Sequence, residues 1–497
     1  MGQAVYVRGM SVRGDPHMRG IQLPFWLLSV SVFLAPTLPR WVTHGLFLDG
    51  LIYAAVSRNL AVGVGTFWKP LFTSTLAPEF FADHPPLGLG IQSLFFRALG
   101  EGFWVENLYS LVCAIVAGAL IVWIWRMLAP GMREIAWLPV LLWSLIPVVT
   151  WAYSYNMLEI TQTVFTLGAC GALIHAFQGR QPVAVGVAVA AALICAAVFT
   201  KGPTGLFPLV AIILYTVATK KLGWRSAAIW TAVLTVFVAG AGAIVLADEA
   251  ARSNLTLYFD TQLGPSLQGT RGGGGSRLRI FETLLAQVGP IIGLALVFLY
   301  INRRRWRVDT SDGRRAGVFC FLVALSASLP VGLSPRQSGH YLLPSFPLYA
   351  IGVALLVGPV VSDLTRRIRT SALAFKVGTG INALVLVSLI VFSISKWGEI
   401  GRDRDLIEDV WQIEDVVGAR ETIALCYELK REWTMHGYFS RYSSIEIDPS
   451  ETRRQFMVSR DSHCRDSIER EYRHVGIDTR LLTLFERDLG RDLNGGE

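Results

Sequence analysis

About eleven stretches of roughly 20 mostly apolar residues follow one another along this chain, and they leave it few ways to fold. They lie near 21–39, 107–127, 135–153, 159–178, 183–199, 203–219, 226–247, 285–301, 316–333, 343–361 and 378–396. A helix of that length satisfies every backbone N–H and C=O internally, which hydrocarbon demands and water does not. The expected class is an all-α polytopic membrane protein with about 11 to 13 crossings. Composition agrees, because only 16% of residues are charged, against about 25% in a soluble domain. The net charge of +8 does not point to nucleic acid. Lysine and arginine cluster in short runs such as "TKKLGWR" and "NRRRWR" between apolar segments, as in cytoplasmic loops.

Those runs orient the chain. With them inside, the basic tail 1–20 is also inside and the first apolar run is a retained anchor. A large first loop, 40–85, a Gly-rich loop, 248–284, and everything from 399 to 497 then lie outside. The segment 86–99 follows a double proline and is short; whether it crosses sets the parity of the whole topology. Residues 21–398 form the membrane domain. The tail 399–497 is polar, with short β-like runs ("TIALCY", "SSIEID", "RQFMVS"), and reads as a small extracytoplasmic α/β domain. Cys113, Cys170, Cys195 and Cys320 lie in apolar stretches and read as buried small hydrophobes. Cys426 and Cys464 lie in the tail and could pair outside the cytoplasm.

Several polar residues interrupt the apolar pattern. Asp49 precedes a segment with apolar residues at Ile52, Ala55, Val56 and Leu60, so it suits either an N-cap or a catalytic acid, on a helix lying along the membrane surface. Arg58 is nine residues on, which on an ideal helix is the opposite side. Asp83 and His84 stand before the two prolines. Glu159 heads a helix with a polar stripe of Gln162, Thr163 and Thr166. Lys201, in "FTKGPTG", either snorkels to the interface or binds a ligand. Arg336, His340 and Tyr341 lie in "SPRQSGHYLLP". In the topology above all of these gather on one side of the membrane. Acids there suit removal of a proton from an acceptor hydroxyl, and cations suit a phosphate leaving group.

The order "DGLIYAAVSR", "DHPPLG", "NMLEI", "TKGP" and "HYLLPSFP" resembles the GT-C glycosyltransferases of the protein O-mannosyltransferase and aminoarabinose-transferase type. The resemblance implies transfer of a sugar from a polyprenyl-phosphate carrier to an acceptor on the outer face of a bacterial plasma membrane. It implies Asp49 as catalytic base and Glu159 as the second acid, orienting the acceptor or supporting the electrostatics. Arg58, Asp83, His84, Lys201, Arg336, His340 and Tyr341 would hold the donor phosphate or substrate. The acceptor is a lipid, a glycan or a protein. Gly50 departs from the pattern, since many members have Glu there, and His84 stands where many have Lys. No cofactor is required by these residues, although a carboxylate pair could take a divalent ion. The alternative is a transporter or flippase of polyprenyl-linked or anionic lipids, which would use the same cavity without chemistry. Absence of an internal repeat and the placement of polar groups at helix ends favour the enzyme.

Overall fold

The computed structural model describes residues 16–73, 80–270, 276, 278–304, 311–334, 337–448, 454–460 and 471–488. Helix α1 (Pro16–Trp41) leads to α2 (Leu48–Ala61) and α3 (Leu87–Leu99). Then come α4 (Val105–Leu128), a pair α5 (Trp137–Ser144) and α6 (Pro147–Ser154), α7 (Leu158–Phe177) and α8 (Val183–Lys201). They are followed by α9 (Ala211–Thr219), α10 (Trp224–Ala247), α11 (Glu249–Tyr258) and α12 (Gly264–Gln268). The last membrane helices are α13 (Arg279–Ile301), α14 (Ser311–Ser328), α15 (Phe346–Arg366) and α16 (Leu373–Ile394).

Among the described residues nine helices are long and apolar enough to span a bilayer. The α5–α6 pair, bent by 78° at Pro147, makes a tenth if counted as one broken span. The remaining expected segment, Pro203–Thr219, is shorter and opens with a 3₁₀ turn. All the same, it runs between the two ends of the bundle. Lys201 lies at one end and Lys221 at the other, beside the start of α14. Helix α3 does not cross. Its 13 residues span about 20 Å, short of the roughly 30 Å of hydrocarbon. Its start carries His84 and its end carries Glu101, which meets Arg58 on the same side. The double proline stops helix growth into the preceding loop, and Pro86 then stands at the head of α3, where a missing amide costs little.

The helices are unequal in burial. The windows in α7 and in 339–366 are 78% and 83% buried, so these two form the centre, while α10 and α16, at 6%, face outward. Serine and threonine hydroxyls inside the bundle bond carbonyls one turn back, as Thr163 does to Glu159 O (2.7 Å) and Thr166 to Gln162 O (2.9 Å). Such back-bonding removes the cost of a polar group in hydrocarbon.

The tail contains α17 (Arg404–Val417) and α18 (Trp433–Tyr438). Its strands are β1 (Thr422–Leu425), β2 (Glu446–Asp448), β3 (Phe456–Ser459), β4 (Tyr472–His474) and β5 (Thr483–Arg487), in the order β2-β1-β3-β5-β4. β1 pairs in parallel with β2 and β3; β5 pairs antiparallel with β3 and β4. The three expected runs are strands, and two further strands close the sheet. Cys426 is disulfide-bonded; Cys464 lies outside the described residues. The tail's core is continuous with the membrane part: Leu46, Leu51, Ala54 and Val105 share one cluster with Ile407, Val410, Tyr438 and Phe439. Helix α2 is therefore not a surface helix with one wet face. Its other side packs Tyr53, Val56 and Leu60 on Leu89 and Leu158.

Candidate active site

Helix α2 sits between bundle and tail, and Asp49 is in its first turn. The helix N-cap is Phe47, with no side chain capping it, so Asp49 does not serve as the cap. The positive end of the helix still favours a carboxylate there. That carboxylate remains 38% exposed and faces a cavity of about 170 Å³. One turn later Tyr53 lies on the same face, and its hydroxyl meets His84 Nε2 at 2.9 Å. Burial, and then the Asp49 charge, push the Tyr53 phenol well above its ordinary pKa, so it stays a neutral hydroxyl. Asp83, beside His84, is bonded by the side-chain amide of Gln262.

Glu159 enters from the first turn of α7 and Lys201 from the last turn of α8, where the negative helix end favours a cation. Lys201 Nζ is 2.8 Å from Glu159 Oε1, and both side chains are buried. The lysine does not snorkel to the interface; it turns inward and lies near the rings of Tyr53 (5.7 Å) and Tyr341 (5.5 Å). Gly202 ends α8 at φ +87° and has the Tyr258 hydroxyl pressed against it, so a side chain there is excluded twice over. Burial pushes the Tyr258 hydroxyl up to about 12. His340 closes the group. Its Nε2 is 3.7 Å from Glu159 Oε1 and 4.0 Å from Asp49 Oδ2, and its ring stacks on Trp151.

Thus Asp49, Asp83, His84, Glu159, Lys201 and Tyr341 line one cavity, with His340 behind it. Arg58 does not join them. Nine residues is about two and a half turns, so Arg58 points away, pairing with Glu101 (3.1 Å), Ser444 Oγ (2.6 Å) and the Ser440 carbonyl in the tail. Arg336 lies outside the described residues. Among the described residues no group of three or more His, Cys, Asp and Glu side chains could hold a metal ion.

Sequence reasoning did not assign to the site several of the lining residues, among them Tyr53, Gln162, Tyr258 and Gln262. The first two were within reach, lying one turn from an acid already singled out. Tyr258 and Gln262 come from the α11–α12 region, far along the chain, and no local pattern marks them. Also missed was a buried polar chain that ties the two acids' segments together. Ser57 Oγ donates to Gln92 Oε1 (3.0 Å), Gln92 Nε2 to Asn156 Oδ1 (2.7 Å), and Asn156 Nδ2 to the Gly50 carbonyl (3.2 Å). Asn156 holds φ +54°, which asparagine tolerates better than most residues. The departure at Gly50 has its reason here. A Cβ on residue 50 would lie 1.8 Å from the Tyr155 carbonyl oxygen, so α2 docks on this turn only with glycine.

Residues 83–245 match the family model described as "Dolichyl-phosphate-mannose-protein mannosyltransferase". No curated protein sequence matches the chain significantly. Among solved structures, ArnT from Cupriavidus metallidurans bound to undecaprenyl phosphate superposes with a TM-score of 0.61 at 13% identity, over 98% of this chain and 100% of that one. Its apo state gives 0.60 at 13% identity, over 94% and 97%. The Archaeoglobus fulgidus oligosaccharyltransferase tethered to an acceptor peptide gives 0.54 at 10% identity, covering 97% of this chain and 75% of that one. These likenesses establish the fold over nearly the whole length, and the family match falls on the segment carrying Asp83, His84, Glu159 and Lys201: the chain has the polytopic membrane fold of these structures, with a central stretch similar to the mannosyltransferase model.

Proposed function

We propose that this enzyme transfers a sugar, with inversion, from a polyprenyl phosphate to an acceptor hydroxyl, and that Asp49 is the base. One observation carries the assignment. Of the two central acids, Asp49 is open to the cavity, whereas Glu159 is buried and held by Lys201. Asp49 takes the acceptor proton as the acceptor oxygen bonds to the anomeric carbon. The bond from that carbon to the phosphate oxygen breaks, and its electron pair leaves with the polyprenyl phosphate. Lys201 and His84, with Arg336, offset the charge that develops on the departing oxygen. Glu159 keeps Lys201 aimed into the cavity. The neutral Tyr53 hydroxyl orients His84. The carrier class is supported by the undecaprenyl phosphate bound in the ArnT structure.

The cavity and tail lie on the extracytoplasmic side of a bacterial plasma membrane in this reading. Support comes from the connectors 178–182, 220–225 and 366–372, which are basic and sit at the far end of the bundle. The acceptor is a lipid, glycan or protein presented on that side.

The test uses the purified full chain with a polyprenyl-phosphate sugar and follows released polyprenyl phosphate. Asp49→Asn is expected to lower release about 10²- to 10⁴-fold, the range for removing a general base, with unchanged membrane insertion and melting temperature. Release within a few-fold of the unaltered protein would overturn the base assignment.

A further inference from the structure

The end of the bundle remote from the active site carries a second built cavity, of about 440 Å³. It lies where α4, α7 and α9 end and α14 begins. Helix α7 joins the two cavities: Glu159 is in its first turn, and Phe177, its last residue, lines the second. Its 20 residues span about 30 Å, one hydrocarbon thickness. The second cavity therefore sits at the opposite membrane–water boundary.

Its wall is divided by chemistry. Among the described residues Arg180, Lys221 and Arg315 supply three cations against the single carboxylate of Asp312. Asp312 is shared, at 3.0 Å from Lys221 Nζ and 4.0 Å from Arg315. Among the described residues no carboxylate lies within ion-pairing distance of Arg180. Leu128 and Phe177 make the membrane-side wall apolar. Three helices present their carboxyl-terminal ends here, and these partial negative charges attract the same cations. They are worth about half a charge each and fade within a turn, so the formal charges still leave the mouth positive.

We propose that this cavity binds the phosphodiester headgroup of an anionic phospholipid, with Arg180 and Arg315 on the phosphate and an acyl chain along Leu128 and Phe177. Phosphate chemistry alone would also admit a free phosphate. An apolar wall next to the cations, at the depth where acyl chains begin, favours the lipid. The proposal concerns the remote end of the bundle and does not depend on which residue acts as base.

The experiment is native mass spectrometry of the purified full chain, loaded with phosphatidylglycerol or phosphatidylcholine. Phosphatidylglycerol should be retained in preference. Arg180→Gln and Arg315→Gln should each reduce its retention about fivefold, the scale expected for one basic residue near an anionic headgroup. Asp312→Asn, which removes the one carboxylate among the described residues of the wall, should raise retention and serves as the second measurement if the arginine variants fold poorly. Millimolar inorganic phosphate should leave retention unchanged. Equal retention of the two lipids, unchanged retention in all three variants, or full displacement by inorganic phosphate would each overturn the proposal.

Discussion

Two buried ion pairs stand at the same end of this molecule and differ in what they have left to give. In the join between tail and bundle, Arg441 meets Glu106 at 2.7 Å, with both side chains almost wholly buried. Four of the five N–H donors on its guanidinium are taken, since Nε bonds Glu106 Oε1, Nη1 the Glu101 carbonyl, and Nη2 both the Gly102 carbonyl and Glu106 Oε2. In the cavity, Lys201 meets Glu159 at 2.8 Å. An ammonium has three protons, and its other surroundings are the faces of Tyr53 and Tyr341 and open cavity. The first pair is a clamp whose hydrogen-bonding capacity is nearly used up within the protein. The second keeps donors for an incoming anion. Burial and charge type are similar in both, so neither property alone distinguishes a closed pair from one facing a cavity; the remaining capacity does.

Replacing the lysine is the strongest way to break this contrast. Lys201→Met is expected to lower sugar transfer about 10²- to 10³-fold, as loss of one preorganised donor does. The melting temperature should fall less than for the clamp, because Glu159 still has His340 at 3.7 Å and the cavity beside it. Arg441→Met should do the reverse. It leaves Glu106 charged and buried, costing about 3–5 kcal/mol of stability, while transfer per folded molecule changes little. The double variant Arg441→Met with Glu106→Leu should recover most of that stability, since apolar replacement of a whole buried pair is often close to neutral. Thermal melts and transfer rates measured on the same samples decide both.

A milder change tests how the cavity's two acids are held in register. Asn156→Gly keeps the positive φ but removes the amide joining Gln92 to the Gly50 carbonyl. We expect kcat to fall about tenfold with KM nearly unchanged, as for a small displacement of catalytic groups. A matching rise in KM would instead indicate a binding defect. The smallest effect concerns pH at the clamp. His44 is pushed down to about 4 by burial and then by the nearby Arg441. The unfolded chain therefore binds this proton between about pH 6.5 and 4 and the folded chain does not. This contribution to stability is complete above pH 6.5 and is lost as pH falls towards 4. Melting curves across that range should show the decline, and His44→Asn should flatten it.

Much of the architecture was legible in the apolar pattern. The requirement to satisfy the backbone inside hydrocarbon acts locally, so eleven helical segments could be placed without knowing what they touch. Basic connectors then set which ends lie together, and this brought Asp49, His84, Glu159, Lys201 and His340 to one end. The tertiary structure decided how deep each residue sits and what it meets. It turned Arg58 into the tail, where the helix period alone said only that it faces away from Asp49. Lys201 proved to be buried against Glu159, although its place at a helix end fitted snorkelling equally well. Gly50 was a departure from a motif until the Tyr155 carbonyl beside it supplied the reason. The surface helix expected after Asp49 became a buried one, because the tail covers the face the bundle leaves open. Periodicity and charge bias are properties of neighbours along the chain and can be read from it. Tyr258 and Gln262 reach the cavity from nearly 180 residues beyond His84, and only packing of distant segments brings them there.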